Sequence, residues 1–216
     1  MNPMRAAIFD LDGVIVDTAK YHYLAWKRLA AELGFDFTEQ DNERLKGVSR
    51  MRSLEILLEV GGLELPAAER EAMATRKNDW YVDCIRRMDP SEIFPGVVEY
   101  IEYLRTRGVR VALASASKNA PLILDRLRIA GMFDTVVDGT RVSAAKPDPE
   151  VFLRAGEELA VPACDCVVFE DAEAGIEAAR RAAMRTVGVG KPANLGRADM
   201  VITGFEHFLR VALIEA

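Results

Sequence analysis

Short apolar runs that each stop at a polar residue recur along this chain, and their alternation with helical stretches constrains its fold more than any other feature. Residues 4–9 (MRAAIF) halt at Asp10-Leu11-Asp12-Gly13, and 109–114 (VRVALA) halt at Ser115. The pattern returns at 135–137 (TVV, then Asp138), 165–169 (DCVVF, then Glu170-Asp171) and 185–189 (RTVGV, then Gly190). Each run has the length of a buried strand ending in a turn. Helical patterns fill the gaps at about 96–107, 119–130, 149–160 and 173–184. Gly108 and Gly131 stand where helix C-caps belong, and Pro149 near a first helical turn. Strand alternating with helix in this way predicts an α/β fold, a parallel sheet with crossover helices flanking both faces. Such sheets carry polar sites at the C-terminal ends of their strands, which is where the polar residues named above fall.

Residues 15–92 follow a different rule. Their pattern is helical throughout, at about 18–33, 39–46, 50–60 and 67–88, broken by Gly34, Gly47 and Gly61-Gly62. The expected organisation is a core domain of residues 1–14 and 93–216 with a small all-helical domain, 15–92, inserted after the first strand. Two connections join the insert to the core, the second through Pro90 to Pro95, so it can hinge as a lid over the strand ends.

Composition narrows the partners. The chain has 216 residues, 28 Lys plus Arg against 34 Asp plus Glu, and a net charge of -6 with its 2 His neutral. An acidic surface argues against nucleic acid, which needs dense positive charge, but not against a small anion held by a few local cations. A chain of this length buries roughly 70% of its unfolded surface, so its core needs neither disulfides nor a structural metal. Met1-Asn2-Pro3-Met4-Arg5 leads into an apolar run too short and wrongly flanked for a signal peptide, and no run of about 18 apolar residues indicates a membrane span. Three cysteines, Cys84, Cys164 and Cys166, fit reduced thiols in the cytoplasm. Cys164-Asp165-Cys166 lacks the second Cys/His pair of a metal site and reads as a loop entering a strand. With no exposed heptad or long apolar edge, a monomer is expected.

Asp10 and Asp12 lie two apart at a strand end, where an extended chain turns both to one side. Such a pair needs a cation or hydrogen bonds to stay ionised; an Asx-turn with a helix cap is the plainer alternative. Glu170-Asp171 at another strand tip favours the cation, because four carboxylates make a hard oxygen cluster suited to magnesium. Lys146-Pro147 at a further strand end supplies a fixed cation, and Ser115 a hydroxyl with adjacent backbone N–H groups. Around one crevice these groups suit phosphoryl transfer through an aspartyl-phosphate.

Ile8-Phe9-Asp10-Leu11-Asp12-Gly13-Val14, Ser115, Lys146-Pro147 and Glu170-Asp171 resemble, in order, the four motifs of the haloacid dehalogenase superfamily of phosphotransferases. Within it, further segments resemble the beta-phosphoglucomutase family: Asp17-Thr18 with Tyr21-His22, Ala25-Trp26-Lys27, Lys46-Gly47-Val48-Ser49-Arg50, Arg76-Lys77-Asn78 and Ala114-Ser115-Ala116-Ser117-Lys118-Asn119. Gly188-Val189-Gly190-Lys191-Pro192 and Asn194-Leu195-Gly196 continue the match. The resemblance implies a Rossmann-like core with a helical cap, and a mutase interconverting beta-D-glucose 1-phosphate and 6-phosphate through beta-glucose 1,6-bisphosphate as intermediate and activator. It implies Asp10 as nucleophile and Asp12 as general acid and base, with Ser115 and Lys146 on the transferring phosphoryl oxygens. Magnesium would sit on Asp10, the Asp12 backbone carbonyl and Asp171, with Glu170 in or beside its shell.

A mutase must also hold the phosphate that is not reacting. Arg50 from the cap, with Ser117, Lys118 and Asn119 from the core, fits that need, since Arg offers a bidentate fork and Lys a point charge. Closure of the cap on that phosphate would exclude water from the aspartyl-phosphate. Gly47, Val48, Ser49 and Ala116 flank these residues in the same two motifs and are assigned to the substrate with them. Ser117-Lys118-Asn119 also reads as a strand-to-helix turn with Asn119 near the N-cap, itself an anion site. Trp26 offers sugar-stacking area or packs the cap, and packing is the simpler reading. The resemblance has His22, with Thr18 and Lys77, couple cap position to Asp12; the alternative for His22 is a satisfied, partly buried helix residue. Two positions depart from the family in lacking a hydroxyl, Ala172 after Glu170-Asp171 and Ala145 before Lys146. Rival readings are a phosphatase of small sugar phosphates, which has no need of the second anion site, and a non-catalytic sugar-phosphate sensor, which has no use for the Asp10/Asp12 pair.

Overall fold

The computed structural model describes residues 3–45 and 48–206, without the side chain of Asn194. Two compact units emerge, one of Met1–Asp17 with Asp89–Ala216, the other of Thr18–Met88. The first is built on six parallel strands: β1 (Ala6–Phe9), β2 (Arg110–Ala114), β3 (Thr135–Val137), β4 (Cys166–Glu170), β5 (Arg185–Val189) and β6 (Met200–Ile202), in the order β3-β2-β1-β4-β5-β6. The chain fills the sheet outward from β1 in one direction, then crosses to β4 and fills the other. The order therefore reverses between β1 and β4, the place where open parallel sheets bind ligands.

β6 has no counterpart in the sequence reading. It is the three-residue run MVI, as short as β3. The side chain of Asp199 fixes it, accepting from the backbone N–H and hydroxyl of Thr186 at 2.7 and 2.8 Å and thereby tying the segment to β5.

The helical unit contains α1 (Ala19–Glu32), α2 (Glu39–Glu43), α3 (Arg50–Gly61) and α4 (Ala67–Ile85). Its helix ends follow local chemistry. Thr38 and Asp41 form a capping box before α2, the Ser49 hydroxyl accepts from Arg52 N at the start of α3, and Gly62 in the left-handed region ends that helix. Trp26, Leu29, Phe37, Leu54, Leu57 and Leu58 form its core.

Among the described residues, four α-helices belong to the sheet unit: α5 (Val97–Thr106), α6 (Ala120–Leu127), α7 (Glu150–Glu158) and α8 (Glu173–Arg181). Gly108, at φ 75°, follows α5 as expected, but Gly131 does not end α6. Arg128, the residue directly after Leu127, takes the left-handed position there, at φ 59°, and ends a helix that has Pro121 in its first turn and is only 8 residues long. Alternation along the strands separates two cores. Ile8 and Val168 pack with Phe152 and Ala155 of α7 and Ala178 and Ala179 of α8. Phe9 and Phe169, one residue on, stack on each other at 4.6 Å between ring centres and meet Tyr100 of α5 and Phe205. The residues after this stacked pair are Asp10 and Glu170.

Candidate active site

Register places the reactive residues. Phe9 lies opposite Phe169 in β4 and opposite Leu113 in β2, so Asp10 stands level with Glu170, and Ser115 follows one residue beyond that level. The Asp10 N–H donates to Phe169 O at 2.9 Å, carrying the ladder one step past the strand. The chain then turns at Gly13, whose φ is +79° and where a Cβ would overlap the Asp171 carboxylate. Only glycine meets both demands at that position.

Lys146 donates to Asp10 Oδ1 at 2.6 Å and to Glu170 Oε2 at 2.7 Å, and all three side chains are buried. It does not end a strand, contrary to the expectation. It sits on the loop between β3 and α7, nine residues past Val137, and its peptide bond to Pro147 is cis. That loop is tied down by a residue the sequence reading passed over: Glu150 Oε2 accepts from Ser143 N, Ser143 Oγ and Ala144 N at 2.8, 2.8 and 2.9 Å. An acidic residue in a first helical turn reads as a partner of the helix dipole, so sequence alone offers no sign of this second role.

The other carboxyl oxygen of Glu170, Oε1, accepts from Asp171 N and Ala172 N at 3.2 and 3.1 Å. Ligand oxygens of Asp10, Glu170 and Asp171 all lie within 4.8 Å of one another. The expected group of four carboxylates is thus a group of three, because Asp12 stands past the end of β1, bridged to Val16 in the turn, and its carboxylate is not among them. Burial, and then the neighbouring charges of Glu170 and Asp10, push Asp171 up to about 8. Burial likewise raises Glu170. For Lys146 burial opposes the ammonium, but the charges of Asp10 and Glu170 outweigh it and hold the group above its ordinary value. Once Asp171 is ionised, three acids against one ammonium leave an excess of negative charge, and the donors are all hard oxygens. That set is consistent with a divalent metal.

Beyond β2 the chain makes a loop held by its own hydroxyls. Ser115 N donates to Val137 O at 3.0 Å, Ser117 N to Ser115 Oγ at 3.1 Å, and Asn119 N to Ser117 Oγ at 3.2 Å. Asn119 occupies the N-cap of α6, as anticipated, but its side chain makes no cap bond. Ala116 and Lys118 are exposed on this loop.

In the helical unit a second group gathers. Lys77 is 2% exposed, and its ammonium lies 2.7 Å from His22 Nδ1, 4.4 Å from the Trp26 ring centre and 5.1 Å from that of Tyr81. His22 stacks on Tyr81 at 4.0 Å. Burial first, then Lys77 and Arg50, hold His22 well below its ordinary value, so the ring is neutral and its Nδ1 accepts from the ammonium. Trp26 packs inside the unit's core with one ring face toward Lys77, which favours packing over sugar stacking. Thr18 is buried at the N-cap of α1, Ser49 caps α3, Arg50 is the first residue of α3 and half-buried, and Val48 is exposed. Gly47, with Lys46, lies outside the described residues.

Comparison with known proteins agrees with this geometry. Residues 4–183 match the family of haloacid dehalogenase-like hydrolases. The chain is 45% identical to a beta-phosphoglucomutase of Bacillus subtilis over 201 residues, 92% of this chain and 89% of that protein. It is 35% identical to a phosphorylated carbohydrates phosphatase of Thermotoga maritima over 90% of this chain and 89% of the relative. Among solved structures, a beta-phosphoglucomutase from Clostridium difficile superposes with a TM-score of 0.92 at 39% identity, covering 98% of this chain and 97% of that one. By sequence, by strand order and by the buried acid–lysine cluster at its switch point, the chain belongs to the haloacid dehalogenase-like hydrolase family.

Proposed function

We propose that this protein is a magnesium-dependent beta-phosphoglucomutase. The observation that carries the chemistry is Lys146 bound at once to Asp10 Oδ1 and Glu170 Oε2 beside Asp171, at the point where strand order reverses. With Oδ1 engaged by Lys146, Oδ2 of Asp10 is the oxygen that attacks phosphorus. Asp12 takes the proton of the attacking sugar hydroxyl and returns it to the oxygen that leaves at the other end. Ser115 and Lys146 hold the moving phosphoryl oxygens. When bound by Asp10, the Asp12 carbonyl, Asp171 and Glu170, magnesium supplies charge that screens the approach of carboxylate to phosphate. The phosphorylated Asp10 passes its group to beta-D-glucose 1-phosphate, beta-glucose 1,6-bisphosphate turns over, and Asp10 takes back the phosphate from carbon 1, leaving glucose 6-phosphate.

The mutase reading over hydrolysis is supported by the 45% identity to the Bacillus subtilis enzyme and by the loop from Ser115 to Asn119 at the start of α6. We assign the non-reacting phosphate to Ser117, Lys118 and Asn119, together with Arg50, and assign Thr18, His22, Trp26, Gly47, Val48, Ser49, Lys77 and Ala116 to the substrate's surroundings. The second reading, a phosphatase of small sugar phosphates, is favoured by the Thermotoga maritima relative. Among the described residues no helix is long and apolar enough to cross a membrane, and we take the enzyme to act as a cytoplasmic monomer.

Phosphorus NMR of the protein with magnesium, beta-glucose 1-phosphate and a trace of the 1,6-bisphosphate separates the two. Glucose 6-phosphate forming faster than free phosphate supports the mutase. Free phosphate as the main product overturns it in favour of the phosphatase.

A further inference from the structure

Gly139 stands two residues beyond β3, with the backbone of Ala116 to Lys118 directly against it. A Cβ built there would overlap the Ala116 carbonyl oxygen, 2.8 Å from Ala116 C and 3.0 Å from Lys118 N. Its φ is not among the positive ones, so glycine is needed for room rather than for backbone freedom. The obstructing atoms are main chain, which cannot rotate aside as a side chain tip would. Gly139 N also donates to Ser117 O at 3.2 Å. On its other flank the buried Asp138 locks the turn, its Oδ1 accepting from Thr140 N at 2.7 Å and Thr140 Oγ1 at 2.6 Å.

We propose that Gly139 is a positioning residue that sets where Lys118 and Asn119 hold the non-reacting phosphate, and thereby sets the ratio of mutase to phosphatase activity. The inference rests on the mutase reading above and deepens it. The physical reason is an asymmetry along the loop. Ser115 N is pinned to Val137 O on the strand side, which anchors its main chain apart from Gly139, while its Oγ accepts from Ser117 N within the loop. The backbone of residues 116–118 lies directly against Gly139, so anything larger there displaces Lys118 and Asn119 first, while the main chain of Ser115 stays on its strand bond. Misplacing a binding group by about 1 Å costs on the order of 100-fold in rate. That loss falls only on a reaction that uses the second phosphate.

The test measures two activities in Gly139→Ala and in Asp138→Ala, which loosens the turn without adding bulk. In Gly139→Ala the KM for beta-glucose 1-phosphate in the mutase assay rises by about 10- to 100-fold, and hydrolysis of p-nitrophenyl phosphate, which has no second phosphate, stays within roughly threefold of the parent. Asp138→Ala shows the same split at smaller size, and it carries the test should Gly139→Ala not fold. Equal loss of both activities in a folded variant overturns the proposal, because Gly139 then supports the whole site. So does an unchanged KM in both variants. If the parent itself yields only free phosphate, the mutase reading falls, and this proposal with it.

Discussion

Lys146 keeps its charge in a place where burial opposes it, because two carboxylates accept from it at 2.6 and 2.7 Å. Removing it leaves the buried Asp10 and Glu170, with the half-buried Asp171 beside them, without an ammonium among them. Breaking a buried pair in this way costs about 3–5 kcal/mol. Lys146→Met should therefore unfold at a clearly lower urea midpoint than the parent when both are metal-free, besides losing activity. An unchanged midpoint would mean the cluster is open to water in solution. Arg50 tests a different idea. If it serves the non-reacting phosphate, Arg50→Ala loses mutase turnover by about 100-fold or more, as expected for a lost charged contact to a bound anion, while p-nitrophenyl phosphate hydrolysis changes far less. Equal losses would count against a second anion site. At this scale Asp10, Ser115, Glu170 and Asp171 were legible because each directly follows or ends a strand, and strand ends are visible as breaks in apolar runs. Glu150 and Gly139 were not, because what they do depends on contacts with loops distant in sequence, Ser143-Ala144 in one case and Ala116 to Lys118 in the other.

β1 and β4 do two things at once, and the period of 2 along a strand separates them. One face of each strand meets α7 and α8 through Ile8 and Val168, while the other stacks Phe9 on Phe169. The stacked rings stand immediately before Asp10 and Glu170, so the level of the two acids depends on them. Phe169→Ala should cost about 3–5 kcal/mol, as large aromatic truncations in a core do, and should lower activity in molecules that remain folded. A chemical-denaturation midpoint checks the first part. A loss near zero would show that Tyr100 and Phe205 collapse into the space and that the stack carries little. β1 to β5, even the three-residue β3, and the helices could be read from the alternation of apolar runs with helical stretches. β6 could not, because three residues held by Asp199 and Thr186 are a matter of side-chain bonding rather than of pattern. The end of α6 escaped for a similar reason, since Gly131 is the better left-handed residue by propensity but Arg128 is where the helix stops.

The two units carry buried ionisable groups whose effects on stability run in opposite directions with pH. In the sheet unit of the metal-free protein, Asp171 is raised from 3.8 to about 8. A folded-state value above the unfolded one stabilises fully below pH 3.8, and that contribution is lost as pH rises through about 8. In the helical unit His22 is held well below 6.5, so the folded unit refuses a proton that the unfolded chain accepts, and stability falls as pH drops below 6.5. Scanning calorimetry of the metal-free protein should thus show the sheet unit's transition moving down between pH 5 and pH 8 while the helical unit's moves up. Magnesium should lift only the sheet unit's transition, and more at pH 8 than at pH 5, because ligand oxygens must be deprotonated to bind it. His22→Gln should remove the acid-side loss from the helical unit and leave the sheet unit's response as it was. Parallel movement of both transitions would sink this account. So would a magnesium effect that does not depend on pH, because the excess buried charge around Asp171 would then not be what the cation relieves.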